Sequence, residues 1–587
     1  MAHSTHRSLE AGGRVLPASL SFAGAGKFLA QPVYLVFVGL VMVVAFLGLY
    51  PSLYLFVGSF SDTPLGVPGH FTLSNYSQAY LNAETLPLVF NSVVFSFGSS
   101  AISVVLASVL AWITIRTNAP FRKLFGLTAI IPNILPTLLI AISWVLLLNP
   151  SNGLINVIVM RVLGWTRAPF DIYTLGGLMS VEGLILTPLA FLIIAAALQN
   201  MDPAQEESAK TLGSNEFGVA WRITLPLMRP AILAAGTLNF VRAIESFDAP
   251  AIIAIPGRIE VFTTKMYREA LGSFPTNQNL AAAYGVGILV IALVCVYLYR
   301  LLTARAESFS TVSGKGFRPK QIDLGPWKYL ASAVAFGLLV IMVALPLGVL
   351  ILISVMPYYH VPTWSTWHTL TLEHFREIVE SERTYRAFAN SLFLSVAGAT
   401  LCILLAALVS FFTVKTQIRG RSLLEVLTFV PWAFPGTALA LGLLWAYVNF
   451  PIPIYATLWI ILIGYITRFL PYGLRAVTST IIQIHKDLEE ASIVSGAGFF
   501  ATFRRVLMPL MSPGIAAGWI ILATIFIREF SISIFLYSPG AEPLGPLLYF
   551  YYLDGSYGRM AAVGLVISLV CIVLIAVAEK VSRWEMD

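Results

Sequence analysis

Residues 206–230 (EESAKTLGSNEFGVAWRITLPLMRP) and 489–513 (EEASIVSGAGFFATFRRVLMPLMSP) superpose at an offset of 283. Glu206-Glu207, Gly213, Arg222 and Pro226-Leu227-Met228 face Glu489-Glu490, Gly496, Arg505 and Pro509-Leu510-Met511. Both stretches are polar islands between long apolar runs. A polar loop kept in register in two hydrophobic halves decides the fold: a duplicated membrane protein whose two loops dock something outside the bilayer.

Composition agrees. Of 587 residues, 58% are hydrophobic and 11% charged, whereas soluble domains carry about a quarter charged side chains. A bilayer core about 30 Å thick takes roughly 20 apolar residues per helix, and twelve runs qualify. They fall at 33–58, 88–115, 125–148, 176–198, 229–254 and 281–303, then 329–356, 388–413, 424–449, 456–480, 511–537 and 560–580. The repeat extends beyond the loops: Asn91-Ser92 matches Asn390-Ser391, and Pro132 and Pro136 match Pro431 and Pro435, at an offset of 299. The expected fold is all-α, with twelve transmembrane helices as two parallel six-helix repeats packed about an axis normal to the membrane. The expected organisation is a cytoplasmic tail (1–32), a first six-helix unit (33–303), a Ser/Gly-rich cytoplasmic linker (304–328) and a second six-helix unit (329–587).

Basic residues set the orientation. With the N-terminus inside, 23 Lys and Arg fall in inner segments and 9 in outer loops, which places both repeated loops and both termini in the cytoplasm. The net charge of +7 is spread over short loops rather than one helix face, so it reads as a topology signal and not as a nucleic-acid surface. Cys295, Cys402 and Cys571 all sit in apolar runs, and the seven histidines fall in tails or loops without metal-ligand spacing. No cofactor, metal or catalytic centre is expected.

Each loop opens with a helix-start signal, Asp202-Pro203-Ala204-Gln205 and Asp487-Leu488-Glu489-Glu490. Gly213 and Gly496 then stop the helix, since glycine adopts the left-handed conformation without penalty. Phe217 and Trp221, matched by Phe500 and Arg504 beside Phe499 and Phe503, supply aromatic and charged groups that a protein groove can grip. Pro226 and Pro509 are expected to break the chain where it re-enters the membrane. A phosphate loop of the form G-x4-G-K-[ST] is missing, so any ATP-driven motor is a separate chain and this one is not expected to be an enzyme.

The duplicated pattern resembles the EAA motif of ABC importer permeases. Glu207-Ser208-Ala209, Gly213, Ile223, Leu225 and Pro226 carry it in the first loop; Glu490-Ala491-Ser492, Gly496, Val506, Met508 and Pro509 carry it in the second. The departures are small-for-small or apolar exchanges. The resemblance implies an inner-membrane permease of the binding-protein-dependent family in a fused two-unit form. It implies two cytoplasmic ATPase subunits gripping the loops and an extracytoplasmic protein delivering substrate. By position, Glu207, Gly213, Glu490 and Gly496 would shape the docking elbow, and Phe217, Trp221, Phe500 and Arg504 would line the groove contacts. The length and Arg528-Glu529-Phe530-Ser531 are most similar to ferric-iron permeases, with thiamine, polyamine and aminoethylphosphonate permeases as relatives. A twelve-helix secondary transporter is the alternative from another class; it leaves the matched aromatic loops unexplained.

Charges at membrane depth are costly and face the bundle interior or a watery path. Glu182, Arg242, Glu245, Asp248, Arg468, Arg475, Arg528 and Glu529 lie at such positions. At the 283 offset Glu245 matches Arg528, so a Glu245–Arg528 gate pair is one expectation, and Asp248 with Glu529 as oxygens for a passing cation is another. A structural salt bridge between helices is the third. The sequence leaves these open, and it leaves open whether Pro132/Pro136 and Pro431/Pro435 are hinges or fixed bends.

Overall fold

The computed structural model describes residues 32–129, 131–303, 321–497 and 499–584, with the side chains of a few of these, Phe217 and Phe500 included, outside the description. The expected tail and most of the expected linker therefore lie outside the described residues. Among the described residues, eight helices are long and apolar enough to cross a membrane, and three bent pairs bring the number to eleven if each is one span. The twelfth crossing runs through Leu225–Ile244 and the π-helical Pro250–Ala254.

Three helices form the body of each half: Thr85–Ala111, Leu175–Gln199 and Leu225–Ile244 in the first, Glu382–Lys415, Leu458–Ile481 and Ser512–Ile527 in the second. Within a bilayer, helices associate through close packing and interhelical hydrogen bonds rather than hydrophobic burial, and the sequence supplies both. Thr85–Ala111 buries Ser92, Ser96, Ser99, Ser100 and Ser103. Ser100 donates to the Gly236 carbonyl at 2.6 Å, and Asn239 Nδ2 lies 2.6 Å from Ser103 Oγ. In the second half Ser395 donates to the Ala523 carbonyl at 2.9 Å.

The halves interlock. The first helix, Pro32–Ser59, packs on Gly436–Tyr447 of the second half. Glycine makes this approach possible: a Cβ on Gly442 would stand 2.4 Å from the Pro51 carbonyl oxygen. Reciprocally, the helix running through Trp327–Val355 packs against Thr137–Leu148 of the first half, and Tyr359 beyond it donates to the Leu146 carbonyl at 2.9 Å.

Two expectations need correction here. The fifth crossings, read as single helices over 229–254 and 511–537, are broken in both halves: helical geometry stops after Ile244 and after Ile527. Each break carries the charged pair of its half, and Glu529 accepts from the backbone N–H groups of Ile532 and Ser533 just beyond the second break. Pro226, expected to break the chain, sits in the first turn of Leu225–Ile244 and is preceded by a π-helical turn, Ala220–Thr224. A proline in the first turn removes an N–H that has no intrahelical partner anyway. Pro509 does precede a bend, of 63°.

Candidate functional site

The two loops fold alike. In the first, the Asp202 carboxylate accepts from the Ala204 N–H at 2.9 Å and caps Pro203–Thr211. Gly213 then turns at φ +87°, and Glu216–Val219 and the π-helical Ala220–Thr224 follow. In the second, Lys486–Val494 ends at Gly496 with φ +84°, and Phe499–Thr502 leads into the π-helical Phe503–Leu507. The π-helical turns occupy equivalent positions, and such turns are frequent at functional sites. Asp487 is not the expected cap: the helix starts at Lys486, and the Asp487 carboxylate lies 3.0 Å from the His485 ring instead.

Glu207 and Glu490 are exposed, Arg504 is exposed, and Trp221 is 65% exposed. These groups lie on the surface of the loops. The carboxylate that fixes the first loop is its neighbour, Glu206, only 6% exposed. Its Oε1 accepts from Thr224 at 2.7 Å, and its Oε2 pairs with Arg116, a fully buried residue at the loop-side end of the second crossing. Sequence reasoning passed over Glu206 because the motif aligns on Glu207. The signal was the acidic doublet itself, which sets one carboxylate inward and one outward on a short helix. In the second half Lys415 stands where Arg116 does and donates to the Ile484 carbonyl at 2.7 Å, while Phe503 packs inward on Phe411 with ring centroids 5.1 Å apart.

The charged residues at membrane depth come together from both halves, with partners other than those expected. Glu245 does not pair with Arg528. Its Oε2 accepts from Arg468 Nη2 of the second half at 3.0 Å, and its Oε1 from Arg242 Nη1 at 3.2 Å. The two-residue match in sequence misled because equivalent residues meet only if they lie on the pseudo-twofold axis, and Glu245 and Arg528 lie off it. Each reaches into the opposite half. Arg528 Nη1 donates to the carbonyls of Asn133 and of Leu135, the latter at 3.1 Å. Arg468 Nη1 donates to the Phe434 carbonyl.

Leu135 and Phe434 are repeat-equivalent and precede Pro136 and Pro435. The proline breaks in the third crossings free backbone carbonyls, which must find donors at membrane depth; a guanidinium supplies them in each half. The breaks are therefore pinned in this structure.

Residues that do lie on the axis touch. Phe247 and Phe530 stack with centroids 5.6 Å apart and planes inclined by 15°, both buried, and Phe535, Tyr267 and Tyr549 pack around them. Asp248 accepts from Thr137 and, at 2.8 Å, from Ser531. Glu529 accepts from the Ile532 and Ser533 N–H groups at 2.7 and 3.0 Å, capping the short helix Ser533–Leu536. Asp248 and Glu529, the expected oxygens for a passing cation, thus bond hydroxyls and backbone N–H groups here. Glu182 is buried beside this node, with Oε2 lacking a partner among the described residues. Arg475 stands over the Phe429 ring at 5.3 Å.

Twelve crossings in two interlocked halves, each half carrying the same polar loop, make this chain a multi-pass membrane protein built of two units. The family model described as binding-protein-dependent transport system inner membrane component matches it twice, at residues 103–308 and 398–585, and the chain belongs to that family. It is similar to the ferric transport system permease protein FbpB of Actinobacillus pleuropneumoniae, 24% identical over 542 residues, which span 91% of this chain and 76% of that protein. It is also similar to the putative 2-aminoethylphosphonate transport system permease protein PhnU of Salmonella typhi, 25% identical over 241 residues, 41% of this chain and 82% of that one. Among solved structures, a bacterial ABC transporter involved in the import of the acidic polysaccharide alginate matches with a TM-score of 0.35 and 19% identity, over 48% of this chain and 93% of that one.

Proposed function

We propose that this permease carries iron(III) into the cytoplasm, taking it from an extracytoplasmic binding protein and drawing its energy from two ATPase subunits seated on the repeated loops. The observation that carries the docking part is the pair of loops with the same elbow, Gly213 and Gly496 both left-handed, presenting Trp221 and Arg504 outward. The basic-residue bias supports a cytoplasmic position for both loops. Iron is supported by the similarity to ferric permeases along nearly the whole chain.

On this reading Glu207, Gly213, Phe217 and Trp221, with Glu490, Gly496, Phe500 and Arg504, form the coupling elbows. The Phe247–Phe530 stack closes the path toward the binding-protein side, Glu245, Asp248 and Arg528 hold the two halves in the closed arrangement, and Glu529 braces the break after Ile527. Closure of the ATPase pair would move the loops, and the buried Arg116–Glu206 contact would pass that motion to the second crossing.

The test is reconstitution of the chain in liposomes with the ATPase and binding protein encoded beside it, followed by uptake of radioactive iron(III). ATP-dependent uptake is expected. Uptake of 2-aminoethylphosphonate in place of iron would replace the cargo, and uptake without any ATPase would overturn the reading.

A further inference from the structure

The Asn91-Ser92 and Asn390-Ser391 pairs, matched in sequence, make the same contacts in both halves. Both lie near the end of a second crossing that is remote from the repeated loops. Ser92 Oγ accepts the Phe262 N–H at 3.0 Å, and Asn91 Nδ2 donates to the Glu260 carbonyl at 3.3 Å. In the second half Ser391 Oγ accepts the Leu544 N–H at 2.8 Å, and Asn390 Nδ2 donates to the Glu542 carbonyl at 3.1 Å. Phe262 and Leu544 each open a short helix, Phe262–Tyr267 and Leu544–Leu553, and the first N–H groups of a helix have no partner inside it. Each pair thus seats a far-side helix on the second crossing. An ion pair reinforces each seat: Lys265 with Glu84 at 2.8 Å, and Arg383 with both oxygens of Glu542 at 2.9 Å.

The seated helices wall in the aromatic stack. Tyr267 packs on Phe247 with centroids 5.1 Å apart, Tyr549 packs on Phe530 at 5.4 Å, and the two tyrosines meet edge to face at 6.4 Å. Thr263 donates to the Ser246 carbonyl at 2.7 Å, one residue before Phe247. A Cβ on Gly545 would stand 2.4 Å from the Glu529 carbonyl oxygen, one residue before Phe530.

At its other end each second crossing is fastened to the loop side of its half. Arg116 pairs with Glu206 in the first; in the second Lys415 holds the Ile484 carbonyl and Phe411 packs on Phe503. From Ser92 to Arg116 the chain is helical without interruption, roughly 36 Å at 1.5 Å per residue. The third and fifth crossings are broken near the stack, so the second is the unbroken element that touches both the loop and a helix beside the seal.

We propose that the second crossing of each half is a lever, and that Asn91, Ser92, Asn390 and Ser391 are the positioning residues that make a far-side helix follow the loop of its own half. This rests on the reading of the loops as seats for a motor, and it specifies how the stroke reaches the seal. When the loops move, the levers draw Tyr267 and Tyr549 off the Phe247–Phe530 stack and the path opens.

The first test needs neither ATPase nor binding protein. Hydrogen exchange is followed by mass spectrometry in the full chain in nanodiscs. Arg116→Gln frees the loop-side end of the first lever, and exchange across 262–267 should rise about fivefold or more, the lower range of coupling between distant sites. The helix Leu154–Leu163, tied to the end of the third crossing through Asn156, should stay unchanged. Ser92→Ala should raise exchange across 262–267 by itself, and adding Arg116→Gln should bring no further rise, because the connection is already cut. Ser92→Thr, which keeps the hydroxyl, should match the wild type. If Arg116→Gln fails to fold, Thr224→Val is the milder cut at the same anchor. No change at 262–267, an equal rise at Leu154–Leu163, or an additive rise in the double variant overturns the lever.

In the liposome assay, Ser92→Ala with Ser391→Ala should lower uptake per ATP hydrolysed by about tenfold while the ATPase still co-purifies, and threonine at both positions should restore it. Unchanged uptake per ATP in the alanine variant overturns the lever and leaves the importer reading standing. A wild type that shows the exchange pattern but no ATP-driven uptake sinks the importer reading and leaves the mechanical connection.

Discussion

Ser531 Oγ donates to Asp248 Oδ1 at 2.8 Å, and the two residues are separated by the repeat offset of 283. They are the same position in the two halves, so the bond crosses the pseudo-twofold axis, with the Phe247–Phe530 stack one residue earlier. Symmetry has been broken there: one copy is an acid, the other an alcohol. Two acids on the axis would repel; an acid and a hydroxyl close the interface with a charge-assisted hydrogen bond.

The Phe247–Phe530 stack is expected to seal the path. Phe247→Ala or Phe530→Ala removes an aromatic pair worth about 0.5–1.5 kcal/mol beyond its buried area and opens a void on the axis. Liposomes holding either variant should leak a small trapped fluorophore without ATP. Tight liposomes with both variants together would show that the seal lies elsewhere.

Glu245 joins the halves through Arg468. Glu245→Gln leaves a buried guanidinium without its charge partner, at a cost of about 3–5 kcal/mol, so lower membrane abundance and a lower melting temperature are expected. The double variant Glu245→Gln/Arg468→Gln should recover part of this, with a coupling energy of about 0.5–3 kcal/mol. Unchanged abundance in the single variant, with altered transport per molecule, would show that the pair gates instead of holding.

The Arg116–Glu206–Thr224 contact is expected to tie loop movement to the membrane. Arg116→Gln should destabilise by about 3–5 kcal/mol as a broken buried ion pair, whereas Thr224→Val should cost about 1 kcal/mol, the net worth of an ordinary hydrogen bond. At temperatures where both variants remain folded, substrate-stimulated ATP hydrolysis should fall more than ATPase binding does. Equal losses in both would reduce the contact to scaffolding.

Gly213 and Gly496 are both in the left-handed region with open space around the missing Cβ. Alanine there is strained by the backbone alone, about 1–2 kcal/mol, and asparagine should be tolerated better. Weaker co-purification of the ATPase with Gly→Ala than with Gly→Asn at either position is the expected result.

Acid should loosen the short helix Glu373–Glu380 of the second half. Arg559 Nε, 2.8 Å from Glu377, and the His374 ring, 3.1 Å away, hold the Glu377 carboxyl down to about 2 from its ordinary 4.5. A depressed folded value means that this stabilisation is fully present above about pH 4.5 and is lost as pH falls toward 2. Melting temperature should therefore drop more steeply across that window in the wild type than in Glu377→Gln.

The sequence by itself determined the duplication, the crossings and the glycine elbows. These follow from local or periodic properties: run length and a spacing repeated at fixed offset. It offered Arg528 as one partner for Glu245, where the structure has Arg468, and it did not single out Glu206. Both differences share a cause. Whether Glu245 meets Arg528 or Arg468 depends on distance from the symmetry axis, and whether Glu206 or Glu207 turns inward depends on where Arg116 ends its helix. Only the tertiary structure fixes those positions, because the contacts join helices 90 to 223 residues apart in the chain. The proline bends likewise became pinned elements once Arg468 and Arg528 were found on the carbonyls that the prolines release.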